Sequence, residues 1–252
     1  LRGPDKEGGA DAVGLDRDFD AYFKQRYEAP LKALQPPVSS PGIPQNPQTI
    51  EDWTRVVREN PGNFPARLAL GIMLYQEERL EEAEEHLRAA LRLFPEYGGM
   101  DSPYWFLAQI HQQRAETEQA AAALARLTAL NESHYEAFLQ LAELRTELGD
   151  AAGAAEAMDA AVLIYPYEIE LHDRLAQAHE ARGDAAGAVR ERRAIVALAP
   201  ADLAGAYYDL ALAYVTAGEP AQARRSLLRA LEIAPNFEAG LELLLDLRGG
   251  AR

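Results

Sequence analysis

Residues 204–237 read AGAYYDLALAYVTAGEPAQARRSLLRALEIAPNF. Tyr207, Leu210, Ala211 and Tyr214 fall at helical spacing. Gly218 interrupts, and Ala223, Leu227 and Ala230 resume the spacing before Pro235. Steps of three and four put each set on one face of a helix, so the stretch reads as two amphipathic helices and a turn. The unit recurs upstream. Leu107, Leu141 and Leu175 stand 34 residues apart, as do Ala120, Ala154 and Ala188, and Gly149–Gly183 and Pro166–Pro200 keep the same step. Four residue types in one register mark a stack of units, each needing neighbours to bury its apolar face.

Counting outward gives five repeats over residues 64–237, starting at Phe64, Asp101, Tyr135, Ile169 and Ala204, then a capping helix over 238–248. Leu70 to Leu107 is 37 residues and Pro200 to Pro235 is 35. The extra residues are assigned to Gly98–Met100 and to 201–203, in loops, where insertions cost little. Upstream, 49–61 reads as a single helix stopped by Pro61-Gly62, and 36–48 as a Pro-rich linker. Residues 15–35 read as an amphipathic helix with the stripe Leu15, Phe19, Phe23, Tyr27, Leu31 and Leu34, which Pro30 is expected to kink or end. Residues 1–14 read as a flexible lead-in. The fold class predicted is all-α: a right-handed α-solenoid of helix-turn-helix repeats with a C-terminal cap.

Each recurring slot has a packing reason. Gly71, Ala108, Ala142, Ala176 and Ala211 remove bulk on the first helix of each hairpin, helix A. Ala83, Ala120, Ala154, Ala188 and Ala223 do so on the second, helix B, while Leu70, Leu107, Leu141, Leu175 and Leu210 fill the gaps. Gly149-Asp150 and Gly183-Asp184 supply a left-handed residue and an N-cap. Leu241, Leu244 and Leu245 are expected to cover the last repeat, with Glu242, Asp246 and Arg248 in water.

These units resemble tetratricopeptide repeats over about residues 49–248. The fifth matches best; the second lacks the turn Gly and final Pro, carrying Ala115 and Glu132. The resemblance implies a concave wall lined by the A helices. It places there Leu68, Ile72, Tyr75 and Gln76, then Trp105, Gln109, Gln112 and Gln113, then Glu136, Leu139, Glu143 and Glu147. Glu170, Asp173, Gln177 and Glu180 follow, with Tyr208, Leu212 and Val215 last. That wall is apolar and aromatic at both ends, amide-rich next and acidic in the middle, with Arg174 its one nearby base. Family members that bind chaperone tails grip a terminal carboxylate with Lys and Asn, and this wall lacks that clamp. A wall so patterned suits a segment with apolar anchors flanking Lys or Arg; the acidic stretch reads equally as ordinary solvated surface. A second reading has residues 36–47 covering Leu68, Ile72 and Trp105 as a built-in ligand.

The formal net charge is −15. Nucleic acid is then a poor partner, since phosphate binding needs clustered Lys and Arg; this also opposes a likeness to the RNA-binding pentatricopeptide repeats. The chain has no Cys, which excludes disulfides and thiol chemistry. No apolar run approaches the ~20 residues of a membrane span, and no signal-peptide pattern occurs. Soluble protein, cytoplasmic or periplasmic, is expected. The chain begins at Leu1, which reads as a processed or excised product.

No HExxH, GxSxG, phosphate-loop or dinucleotide motif occurs. Asp16, Asp18 and Asp20 imitate a calcium loop, but Ala21 and Tyr27 stand where Gly and Glu are needed. His172 and His179 occupy the slots of Tyr207 and Tyr214, and His111 the second of these, so they read as core substitutes for aromatics. No catalytic residue, metal or cofactor is expected. The function expected is a non-enzymatic protein–protein interaction scaffold within a multiprotein assembly. The alternative is an accessory domain of a larger bacterial enzyme, since LDRDFDAYFKQRYEAPLKAL (15–34) faintly resembles a helical tail of metallopeptidase-like proteins.

Overall fold

The computed structural model describes residues 8–36 and 46–249, the side chains from residue 16 onward and up to 248. These residues form thirteen helices and no strand. The chain divides into two compact units, parted between Asn131 and Glu132.

The first unit holds α1 (Gly8–Ala33), α2 (Ile50–Glu59), α3 (Phe64–Gln76), α4 (Leu80–Leu93), α5 (Pro103–Gln113) and α6 (Thr117–Leu130). Helix α3 pairs with α4, and α5 with α6. The small-residue slots do what their size allows. Gly71 lies so close to α4 that an added Cβ would meet Leu87 Cγ at 2.9 Å. Ala83, Ala108, Ala120, Leu87 and Leu124 are fully buried. Helix starts are capped by side chains: Thr49 receives the Asp52 amide, Asn63 that of Ala66, and Ser102 that of Tyr104. Residues 94–102, between α4 and α5, absorb the longer 37-residue step. Asn131 secures this loop by donating to the Gly98 carbonyl at 2.8 Å.

Two expectations are corrected here. The helix begins at Gly8, inside the stretch read as a flexible lead-in, whose residues 1–7 lie outside the described residues. Pro30 does not end the helix; α1 runs on to Ala33. Residues 37–45 of the Pro-rich stretch, and with them the built-in-ligand reading, lie outside the described residues.

The second unit holds α7 (Tyr135–Glu147), α8 (Ala151–Ile164), α9 (Ile169–Ala181), α10 (Ala185–Ala197), α11 (Leu203–Thr216), α12 (Pro220–Ile233) and α13 (Glu238–Gly249). Three hairpins, α7–α8, α9–α10 and α11–α12, stack in sequence, and α13 packs on α12. Asp150, Asp184 and Asp202 cap α8, α10 and α11, each accepting from the amide three residues on. The A helices of the five hairpins begin at Phe64, Pro103, Tyr135, Ile169 and Leu203. The molecule is thus an all-α solenoid of paired helices.

The cap covers the last repeat with Leu244 as expected, but Leu243 and Leu247 stand beside it in place of Leu241 and Leu245. Leu243, Leu244 and Leu247 pack against the buried Ala211–Ala223–Leu227 cluster. Leu241 and Leu245 are exposed at 42% and 64%. Both sets have helical spacing; the rotation of α13 selects between them.

Candidate functional site

Family resemblance assigns the wall to A-helix residues, some in each unit. In the first, Leu68 is buried at 5% and offers no surface. Ile72, Tyr75, Trp105, Gln109 and Gln112 are half-buried. The Tyr75 and Phe106 rings meet edge-on at 5.5 Å, and Gln113 Nε2 donates to the Tyr75 hydroxyl at 3.4 Å.

In the second unit Glu136, Glu143, Glu147, Glu170, Gln177, Glu180 and Leu212 are exposed, and Leu139, Asp173 and Tyr208 half-buried. Tyr208 leans edge-on against Phe237 at 5.2 Å. Arg174 lies 3.5 Å from Glu143, and Gln177 donates to Asp173 at 2.7 Å.

Arg174 is not the only base. Arg192, from α10, is buried at 8% and reaches the A-helix carboxylates. It donates to Glu180 through Nε at 3.0 Å and to Asp173 through Nη1, and lies 3.9 Å from Asp209 on α11. Burial alone would lower its pKa; the hydrogen bond and charge of Glu180, with those of Asp173, raise it instead. Asp209 moves the other way. Burial raises its pKa, Arg192 opposes this, and the charges of Asp173 and Glu180 add to it. Three carboxylates therefore share one guanidinium. Next to them, Thr146, Met158, Arg174, Gln177 and Ala178 line a pocket of about 300 Å³.

Register reasoning missed Arg192 because its slot belongs to the core. Counted from the small Ala of helix B, it is where Leu87, Leu124, Met158 and Leu227 stand. The signal available was an Arg in that series.

The histidines are buried, but they are not simple aromatic substitutes. His172 Nδ1 lies 2.7 Å from Glu191 Oε2, and its Nε2 donates to the Pro166 carbonyl at 3.2 Å. His111 Nδ1 lies 2.5 Å from Glu116. His179 Nδ1 lies 2.8 Å from Asp184 Oδ2, off hydrogen-bonding alignment. Buried imidazoles need such partners, which an aromatic ring would not. Asp159, His179 and Glu191 bring one ligand atom each within 4.8 Å of one another. Arg190 occupies that trio: it contacts Glu191 at 2.5 Å, Asp159 at 3.1 Å and His179 Nε2 at 3.2 Å. A guanidinium supplies the positive charge a metal would bring.

A hairpin stack with a polar A-helix face defines a repeat protein. Residues 46–97 and 107–169 match one tetratricopeptide repeat model and 204–237 another. The chain belongs to the tetratricopeptide repeat family. No curated protein matches it. Among solved structures it is similar to YrrB, described as a TPR protein with an unusual peptide-binding site, at 17% identity over 77% of this chain and 98% of that one, TM-score 0.52. It is also similar to a tetratricopeptide repeat protein from Parabacteroides merdae ATCC 43184, at 19% identity over 79% and 91%, TM-score 0.47. The MamA protein is similar at 16% identity over 67% and 90%, TM-score 0.45. The likeness to YrrB speaks to the fold alone. Among the described residues no helix is long and apolar enough to cross a membrane.

Proposed function

We propose that this chain is a non-enzymatic interaction scaffold whose second unit holds a partner segment bearing Lys or Arg beside apolar anchors. The observation that carries this reading is the surplus of carboxylate around Arg192. Asp173, Glu180 and Asp209 answer one guanidinium, and the raised pKa of Asp209 marks negative charge held at a cost. A cationic side chain arriving there relieves that cost. The neighbouring pocket, with Met158, Ala154 and Ala178 in its lining, suits an apolar anchor. Paired helices presenting a side-chain-lined face are a standard mode of protein recognition. The accessory-domain alternative rests on the α1 stripe alone.

The test is fluorescence anisotropy on the full chain with a labelled peptide carrying Lys and Arg between Leu and Phe, and its Asp/Glu counterpart. The basic peptide should bind, and Glu180→Gln with Asp209→Asn should weaken it by about tenfold, or ~1.4 kcal/mol. Preference for the acidic peptide, or indifference to both substitutions, overturns the reading.

A further inference from the structure

We propose that the free end of α1 docks on the outer face of α12 of a second copy of this chain, joining copies head to tail.

Helix α1 is held at one end only. Its C-terminal part lies on α4, with Ala33 buried, Tyr27 and Pro30 half-buried, and Arg26 bonded to Glu96 at 2.5 Å. Its earlier part, from Asp16 to Phe23, is exposed, with no described residue covering it. Phe19, Tyr22 and Phe23 are exposed at 64%, 59% and 44%, on one helical stripe. The rings form a ladder, Phe19 to Phe23 at 6.2 Å and Phe23 to Tyr27 at 4.7 Å. Three exposed aromatics on one stripe are a contact surface more than a solvated one. Asp16, Asp18 and Asp20 flank them, exposed and without an ion pair among the described residues. An occupant for this stripe must be apolar in the middle and positive at its edges. The acidic A-helix face of the second unit fails that requirement.

The outer face of α12 meets it. Leu228 is exposed at 48%, with Arg224, Arg225 and Arg229 exposed around it. Arg229 holds Glu232 at 2.7 Å; Arg224 and Arg225 have no ion pair among the described residues. In a chain of net charge −15, a cluster of three Arg is a local reversal of sign. Tyr207, Arg225, Leu228 and Arg229 line a pocket there of about 410 Å³, room for an aromatic side chain. Guanidinium groups over Phe rings add cation–π attraction to the pairing with Asp. Complementary charge steers such an encounter and sets its orientation. Because the two surfaces differ, the contact is heterologous, joining copies into a closed ring or an open chain.

The test is sedimentation velocity on the full chain over a concentration series at low salt. The average mass should rise with concentration. Phe19→Ala/Phe23→Ala and, separately, Arg224→Glu/Arg225→Glu should each remain monomeric with unchanged circular dichroism. Mixing the two variants should restore association, because each keeps the surface the other lacks. Asp16→Arg/Asp20→Arg combined with Arg224→Glu/Arg225→Glu should restore it within one chain. A wild type whose mass is independent of concentration overturns the proposal, as does association that survives Arg224→Glu/Arg225→Glu. Failure of the mixed pair to associate also overturns it. None of these results bears on peptide binding at Asp173, Glu180 and Asp209.

Discussion

At the residue scale the exception is Arg192. Its neighbours in register are Leu and Met, and a buried charge in such a slot is tolerated only when paired. Asp173 and Glu180 provide that pairing, and Asp209 is left as surplus. The consequence for stability follows from the direction of the Asp209 shift. A carboxyl whose pKa is raised on folding binds its proton more tightly folded than unfolded. Its contribution is whole below the ordinary aspartate pKa of about 4 and is lost as pH climbs through the raised value. Asp209→Asn removes the loss. Thermal melts at neutral pH should therefore place Asp209→Asn above wild type, with the gap closing as pH falls below about 4. A variant that melts lower at neutral pH would show Asp209 to be a net stabilising partner of Arg192. The same substitution should weaken a basic ligand, so stability and binding pull against each other here. Asp173, Glu180 and Gln177 were legible as a polar helix face. Arg192 was not, because its slot is a core slot and only its length carries the guanidinium across to the carboxylates of α9 and α11.

At the element scale the hairpin turn is the deciding feature. Gly149, Gly183 and Gly218 adopt φ of 76°, 73° and 73°, where a side chain is strained. The second and first hairpins make the same turn with Ala115 at 56° and Glu78 at 58°. The missing glycine at 115 thus changed the strain and not the turn. Left-handed φ costs an L-residue roughly 1–2 kcal/mol, and glycine gives part of the gain back as chain entropy. Ala115→Gly should accordingly stabilise by about 0.5–1 kcal/mol in urea unfolding. The contact between helices A and B is set by the small slots. Ala188 is 1% exposed, so Ala188→Leu has no space to enter without moving α9 or α10. It should cost about 1–3 kcal/mol by the same measurement. A variant as stable as wild type would mean that the interface repacks freely. Periodicity leaves the rotation of the cap open: leucines at 241, 243, 244, 245 and 247 allow two faces, and only docking chooses.

At the scale of the whole molecule, net charge bears on which partners can approach. A net charge of −15 repels polyanions and draws cationic segments. Binding of the basic peptide should weaken as salt rises, since its charges are half exposed and open to screening. Anisotropy titrations at increasing salt check this, and salt-independent affinity would count against an electrostatic grip. The distribution matters as much as the total. Acid gathers on the A helices of the second unit and on the free part of α1, and arginine on the outer face of α12. The repeat, its register and its hairpins were written in the chain, because packing two helices closely demands small residues at fixed intervals and the period survives in one dimension. Which charges meet could not be written there. Arg192 lies 12 residues from Glu180, 19 from Asp173 and 17 from Asp209, and only the nesting of α9, α10 and α11 brings these groups within reach. Electrostatic partners are chosen by distance in space, and spacing along the chain carries no record of that distance.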